Sequence, residues 1–224
     1  MVVTVGSEIR IHIVGGPGSG KSTMAPAIAR NVGGRSWDLD DVALSEGAHA
    51  DWRPRRSLDA RVADVERLAA GSTWVSEGSF LSWTSSLFER ATVIIWLDTP
   101  WRVASRRIVS RHVRSYVRDV RETQGLGRVR AVRHIHLRAL VGFLQWASHY
   151  YNSDNAHGAE TVADDMHALT RAATAAYLSA YQRKVVRLTA PDLGQALAAI
   201  ADRRDSAAGS TTPTSARTVG ARIR

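Results

Sequence analysis

The chain has no cysteine among its 224 residues, so disulfides and thiolate-bound metals are excluded. Lysine is nearly absent as well. Lys21 and Lys184 stand against 28 arginines, and the formal net charge is +9. No apolar run approaches the roughly 20 residues a membrane-crossing helix needs. The opening Met1-Val2-Val3-Thr4-Val5 has neither the basic segment nor the cleavage site of a secretory leader. A cytoplasmic location without membrane attachment is the simplest expectation. No internal repeat is visible, and a hydrophobic content of 44% is ordinary for a globular chain.

Against this background one of the two lysines stands in a distinctive place. Gly15-Gly16-Pro17-Gly18-Ser19-Gly20-Lys21-Ser22-Thr23 spells G-x-x-x-x-G-K-[ST] in full. Glycines there let successive backbone N–H groups turn inward as a nest for a phosphate. Lys21 reaches the β- and γ-phosphates, Ser22 supplies an oxygen for Mg²⁺, and the next helix points its positive end at the anion. Arginine serves elsewhere in the chain, whereas this position needs a slim, flexible ammonium. Glu8-Ile9-Arg10-Ile11-His12-Ile13-Val14 reads as the preceding strand, and Lys21 to Asn31 as a helix stopped by Gly33-Gly34. The stretch therefore predicts a nucleoside triphosphate site that uses ATP with Mg²⁺.

Strand and helix patterns alternate through the rest of the chain, which implies an α/β fold around a parallel sheet. Arg35 to Asp41 reads as a short strand running into Asp38, Asp40 and Asp41. Ser57 to Ala70 reads as a helix capped by Ser57, and Thr73 to Gly78 as the third strand. Phe80 to Arg90 follows as a helix, and Ala91 to Asp98 as a strand buried on both faces. Helices are predicted from Thr99-Pro100 to a break at Gln124-Gly125-Leu126-Gly127, over Val129–Tyr151 and over Ala159–Tyr181. Lys184 to Thr189 reads as the last strand, Pro191 to Arg203 as the last helix, and 205–224 as a disordered tail.

In a parallel sheet, ligands bind beyond the carboxyl ends of the strands. The phosphate loop, Asp38–Asp41, Glu77-Gly78 and Asp98 all fall at such ends. Mg²⁺ takes hard oxygen ligands and keeps several waters, so Glu77 or Asp98 is expected to support it beside Ser22. Asp40 is the candidate to orient or deprotonate an acceptor hydroxyl, while Asp38 and Asp41 suit strand-end and turn positions. From Arg102 to Arg138 there are eleven arginines and two acids, Asp119 and Glu122. Arg107 and Arg111, spaced i, i+4, lie on one helix face and suit a clamp on a transferring phosphoryl group. A solvated charged face and a nucleic-acid surface are the other uses of that charge. His134-Ile135-His136 diverge on a helix and are not expected to bind metal. Phe143, Trp146, His149, Tyr150 and Tyr151 read as helix packing before a ring-stacking site.

Taken together, the chain resembles small P-loop kinases of the adenylate-kinase-like group, and within them the topology modulation proteins. The likeness rests on residues 15 to 23, Leu39-Asp40-Asp41, Trp74-Val75-Ser76-Glu77-Gly78, Leu97-Asp98-Thr99-Pro100, and Arg107 with Arg111. It covers about residues 8 to 151. The resemblance implies a P-loop NTPase fold whose five-stranded parallel sheet is sandwiched by helices. It also implies a kinase domain over 1–204, an acceptor-binding insertion near 41–70, a helical lid near 107–130, and an adenine site beside Thr189 to Asp192. Adenylate kinases follow the third strand with F-P-R; here Ser79-Phe80-Leu81 stands instead, with Arg53, Arg55 and Arg56 nearby in sequence.

The expected activity is transfer of the γ-phosphate of ATP to a small acceptor, nucleotide- or nucleoside-like. Two rivals stand beside it. One is a hydroxyl kinase for a sugar, a shikimate-like acid or an antibiotic. The other is a nucleotide-gated protein whose basic helix contacts nucleic acid. The acceptor and the oligomeric state are left open.

Overall fold

The computed structural model describes residues 8–45, 55–122, 126–156 and 169–209. Five strands, β1 (Ile9–Gly15), β2 (Ser36–Asp38), β3 (Thr73–Gly78), β4 (Val93–Leu97) and β5 (Val185–Leu188), form one parallel sheet in the order β2-β3-β1-β4-β5. Helices α1 (Lys21–Val32), α2 (Leu39–Ala43), α3 (Leu58–Ala69), α4 (Ser85–Arg90), α5 (Trp101–Glu122), α6 (Leu126–Asn152), α7 (Arg171–Leu178) and α8 (Leu193–Gly209) accompany it.

Alternation along β1 builds both faces. Ile9, Ile11 and Ile13 pack with Met24 and Ile28 of α1, Val75, Ile95, and Ile200 of α8. Val14 turns to the other face, where Trp74, Phe88, Ile94, Trp96 and Leu178 meet Leu39 and Val65. His12 shares that second face. It is wholly buried, its Nδ1 lies 2.9 Å from Ser76 Oγ, and its ring meets Phe88 edge-on at 4.5 Å.

β1 is central, and its neighbours β3 and β4 are reached by connections running to opposite sides. The crevice beyond the end of β1 is therefore where this sheet opens a ligand site. Gly15 closes β1 at that crevice, with Val14 paired to Gly78 and Gly15 to Leu97.

Several elements differ from their sequence-based expectations for local reasons. The second strand stops after three residues, because the Asp38 carboxylate accepts a hydrogen bond from Asp40 N–H and caps α2. The helix expected over Phe80–Arg90 begins as a 3₁₀ turn over Ser82–Thr84, where Thr84 Oγ1 donates to the Phe80 carbonyl at 2.8 Å. α8 continues to Gly209, past the expected end at Arg203 and into the segment read as a tail. Residues 210–224, part of the helix expected over Ala159–Tyr181, and the break at Gln124-Gly125 lie outside the described residues. Among the described residues no helix is long and apolar enough to cross a membrane.

Candidate phosphate-binding site

Residues Gly15 to Gly20 turn from β1 into α1 through left-handed glycines at Gly18 (φ 74°) and Gly20 (φ 106°). A side chain is excluded at both by space as well as by φ. A Cβ on Gly18 would lie 2.7 Å from the Ala104 carbonyl oxygen, and one on Gly20 2.9 Å from Pro191 Cγ. Gly20 is also the N-cap of α1 and offers no side chain to its first N–H groups. The buried hydroxyl of Ser19 has no hydrogen-bond partner among the described residues. A glycine cradle, an uncapped helix start and an unsatisfied buried hydroxyl suit an incoming phosphate.

The outer side of the loop is tied to four residues distant in sequence. Ser79 Oγ donates to the Gly15 carbonyl at 2.8 Å, just after β3. Thr99 Oγ1 and Arg107 Nη1 both donate to the Ser19 carbonyl, at 3.1 and 2.8 Å. Tyr151 Oη donates to the Pro17 carbonyl at 2.8 Å. Ser22 and Thr23 lie exposed at the start of α1.

Inside the crevice, Lys21 is 9% exposed and its Nζ donates to the Gly16 carbonyl at 3.2 Å. Burial pushes the Lys21 ammonium below its ordinary range; Glu77, then Asp40 and Asp38, push it back up, and Arg111 lowers it further. Glu77, 4% exposed on β3, has its carboxyl raised by burial against the pull of Lys21, with the nearby Asp38 raising it and a Ser22 hydrogen bond lowering it. Register explains why the acids meet, since Asp38 and Glu77 are paired on adjacent strands. Asp38 is likewise raised by burial, and its backbone bond from Asp40 opposes that. Asp40, the second residue of α2, is exposed. Lys21, Ser22, Asp38, Asp40 and Glu77 are thus brought together from three strand ends. A cluster of charges fixed in this way is the arrangement that suits electrostatic stabilisation of a phosphoryl group.

The fifth strand-end acid behaves differently. Asp98 was expected beside Mg²⁺, but its side chain is 2% exposed and both oxygens are taken by arginines. Oδ1 accepts from Arg171 Nε at 2.5 Å; Oδ2 accepts from Arg171 Nη2 and Arg187 Nε, each at 2.8 Å, and from Arg187 Nη2. Burial raises this carboxyl, but the Arg171 and Arg187 hydrogen bonds outweigh it and hold it below the usual carboxylate range. Asp98 thus ties α7 and β5 to the end of β4, through one hydrogen bond to Oδ1 and three to Oδ2.

Arg107 is half-buried on the loop itself. Arg111 is exposed one turn further along α5, with its guanidinium 5.7 Å from the Phe143 ring centre. Only the first of this expected pair touches the phosphate loop. Arg56 holds the Val42 carbonyl at 3.0 Å and Asp64 at 2.5 Å, so it braces α2 against α3; Arg53 lies outside the described residues.

Sequence reasoning missed the hold that Tyr150 and Tyr151 have on the loop, and the Arg171–Asp98–Arg187 lock. Each joins residues 73 to 134 positions apart. The one signal available was the aromatic run ending α6, which reads equally as packing.

For Mg²⁺, the Ser22 hydroxyl and the Glu77 carboxylate form the hard-oxygen donor set that fits. Among the described residues no three acids or histidines close into a metal cage, and magnesium held between waters and phosphates needs none.

No protein-family model matches the chain. Over 137 residues it is 29% identical to the cytidylate kinase of Natronomonas pharaonis, covering 55% of this chain and 69% of that protein. Over 114 residues it is 32% identical to the cytidylate kinase of Halobacterium salinarum, covering 45% of this chain and 57% of that one, which is less than two thirds. A crystal structure of a gluconokinase from Sinorhizobium meliloti 1021 aligns over 92% of this chain and 99% of its own, at 18% identity and a TM-score of 0.49. With its glycine loop between β1 and α1 and its all-parallel sheet, the chain has an α/β P-loop NTPase fold, and its sequence is similar over part of its length to two cytidylate kinases.

Proposed function

We propose that this protein is an ATP- and Mg²⁺-dependent phosphotransferase that moves the γ-phosphate to a small acceptor, nucleotide- or nucleoside-like. The observation that carries the reading is the meeting of Lys21, Ser22, Glu77 and Asp40 at the mouth of the glycine cradle. The similarity to two cytidylate kinases favours a nucleotide-like acceptor over a sugar. The Leu39-Asp40-Asp41, Trp74–Gly78 and Leu97–Pro100 motifs favour the topology-modulation branch of such kinases.

In this reading the loop amides and α1 bind the phosphates, and Gly15, Gly16, Pro17, Gly18, Ser19 and Gly20 supply the close backbone approach. Lys21 neutralises charge that spreads over the transferring oxygens. Ser22 and Glu77 would hold Mg²⁺, which supplies Lewis-acid neutralisation of the phosphates. Asp40, exposed beside Glu77, takes the proton of the acceptor hydroxyl or, for a phosphate acceptor, orients the attacking oxygen. Arg107 steadies the loop from outside, and Arg111, exposed one turn further along α5, would close over the γ-phosphate. Catalysis of this kind is positioning and electrostatics, with no covalent intermediate on the protein.

The test is ADP release from ATP and Mg²⁺ against nucleoside monophosphates including CMP, nucleosides, gluconate and other sugars, and hydroxylated antibiotics, with Lys21→Ala alongside. Acceptor-stimulated turnover lost in Lys21→Ala is expected. ATP binding without stimulated turnover by any acceptor would instead favour the nucleotide-gated nucleic-acid-binding alternative. Equal turnover in Lys21→Ala would sink the site assignment.

A further inference from the structure

The α5–α6 hairpin is fastened to the phosphate loop by both of its legs. α5 reaches the Ser19 carbonyl through Arg107, and the far end of α6 reaches the Pro17 carbonyl through Tyr151 Oη at 2.8 Å. α6 has 27 residues and so extends about 40 Å. In its distal half His136 Nε2 lies 2.9 Å from Asp119 of α5, and nearer the loop the Phe143 and His112 rings are 6.1 Å apart. One rigid helix therefore joins the outer part of the hairpin to the loop.

The joint at the loop is closely built. A Cβ on Gly16 would lie 2.4 Å from two carbons of the Tyr150 ring and 2.8 Å from Tyr151 Cζ, so both rings lie flush on that glycine. Tyr151 is flanked by Trp101 at 5.3 Å and Tyr150 at 5.0 Å. Tyr150 is 4% exposed, and its Oη lies 3.1 Å from Thr174 Oγ1 on α7. Thr170, which caps α7, donates to the Asn155 carbonyl at 2.5 Å, and Arg171 beside it is locked to Asp98. The end of α6 is thereby held to the sheet and cannot shift alone.

The two tethered carbonyls matter because of peptide geometry. In a trans peptide the C=O of one residue and the N–H of the next point in opposite directions. Holding the Pro17 and Ser19 carbonyls outward turns the Gly18 and Gly20 N–H groups inward, toward the nest. We infer that Tyr151 is a positioning residue for nucleotide binding: its bond to the Pro17 carbonyl presets the Gly18 amide and links loop geometry to the α5–α6 hairpin. This rests on the phosphate-loop part of the proposed function.

The experiment is titration calorimetry of Mg·ADP binding to wild type and Tyr151→Phe, followed by KM for ATP and for whichever acceptor is active. Tyr151→Phe keeps the ring packing and removes one hydrogen bond, so Mg·ADP should bind roughly three- to tenfold more weakly. KM for ATP should rise in step, while the acceptor KM stays within about twofold; general loosening of the fold would move both. Should Tyr151→Phe prove unstable, Trp101→Leu frees Tyr151 from its flanking ring and should weaken Mg·ADP in the same direction. Unchanged Mg·ADP affinity in the variant overturns the inference while leaving the kinase reading intact. Wild type that binds Mg·ADP but turns over no acceptor overturns the kinase reading and leaves the tether. Wild type that does not bind Mg·ADP overturns both.

Discussion

Replacing Asp98 by Asn tests whether a strand-end acid is a structural lock or a metal ligand. The Asp98 carboxylate is buried and accepts four hydrogen bonds from Arg171 and Arg187, whose side chains remain 47% and 54% exposed. Asn supplies one acceptor oxygen and turns an N–H₂ group toward guanidinium donors, so between one and three of the four charge-assisted bonds are lost, according to which oxygen the amide nitrogen replaces. Each such bond contributes about 1.5–3 kcal/mol. The half-exposed arginines recover part of that from water, which places the net loss near the lower end, about 2–4 kcal/mol. For a chain of this size that lowers the thermal midpoint by roughly 5–15 °C.

The pH dependence adds a second signature. Asp98 has a folded-state pKa below its unfolded value, so the stability it contributes is present above the ordinary carboxylate range and is lost as pH falls through the folded value. Asp98→Asn should therefore be much less stable than wild type at pH 7, and the gap should close in strong acid. The assay is urea and thermal unfolding of both proteins from pH 7 to pH 3, with Mg²⁺ affinity measured in the presence of ADP. A loss of stability under about 0.5 kcal/mol at pH 7, together with a tenfold loss of Mg²⁺ affinity, would refute the lock and return Asp98 to the metal site.

Two further predictions follow from the crevice and the core beneath it. Asp40→Asn should lower kcat by about 10²- to 10³-fold with Mg·ADP affinity within about twofold, read by steady-state kinetics and calorimetry; parallel losses in both would make Asp40 structural instead. His12, buried against Phe88, has its imidazole pushed down to about 3 by burial, with Ser76 opposing and Lys21 assisting. The unfolded chain takes up that proton first, so wild-type stability should decline as pH falls from about 6.5 toward 3. His12→Leu should lack this part of the slope in urea titrations, and superimposable slopes would show that His12 is protonated in place.

What could be read from the amino-acid order was whatever depends on near neighbours. The β-branched alternation of Ile9, Ile11 and Ile13, the glycines at 18 and 20, and the helical spacing after Lys21 each follow from backbone conformation and side-chain period. So strand, loop and helix appear in order, with left-handed glycines in the turn between them. Parallel pairing could be inferred from alternation, and it gathers Asp38, Glu77 and the loop at one edge because strand ends in a parallel sheet all face one way. Where an acid's partners lie elsewhere in the chain, sequence proximity carries no information. Leu97-Asp98-Thr99-Pro100 looks locally like a metal-supporting strand end, yet Arg171 and Arg187 come from 73 and 89 residues away to occupy Asp98. Likewise nothing near Pro17 announces Tyr151, because their contact depends on the length and packing angle of α6, set by side chains on α5 and α7. Backbone conformation is a local property and was legible in the chain; which side chain satisfies which buried group is decided only when the helices close over the sheet.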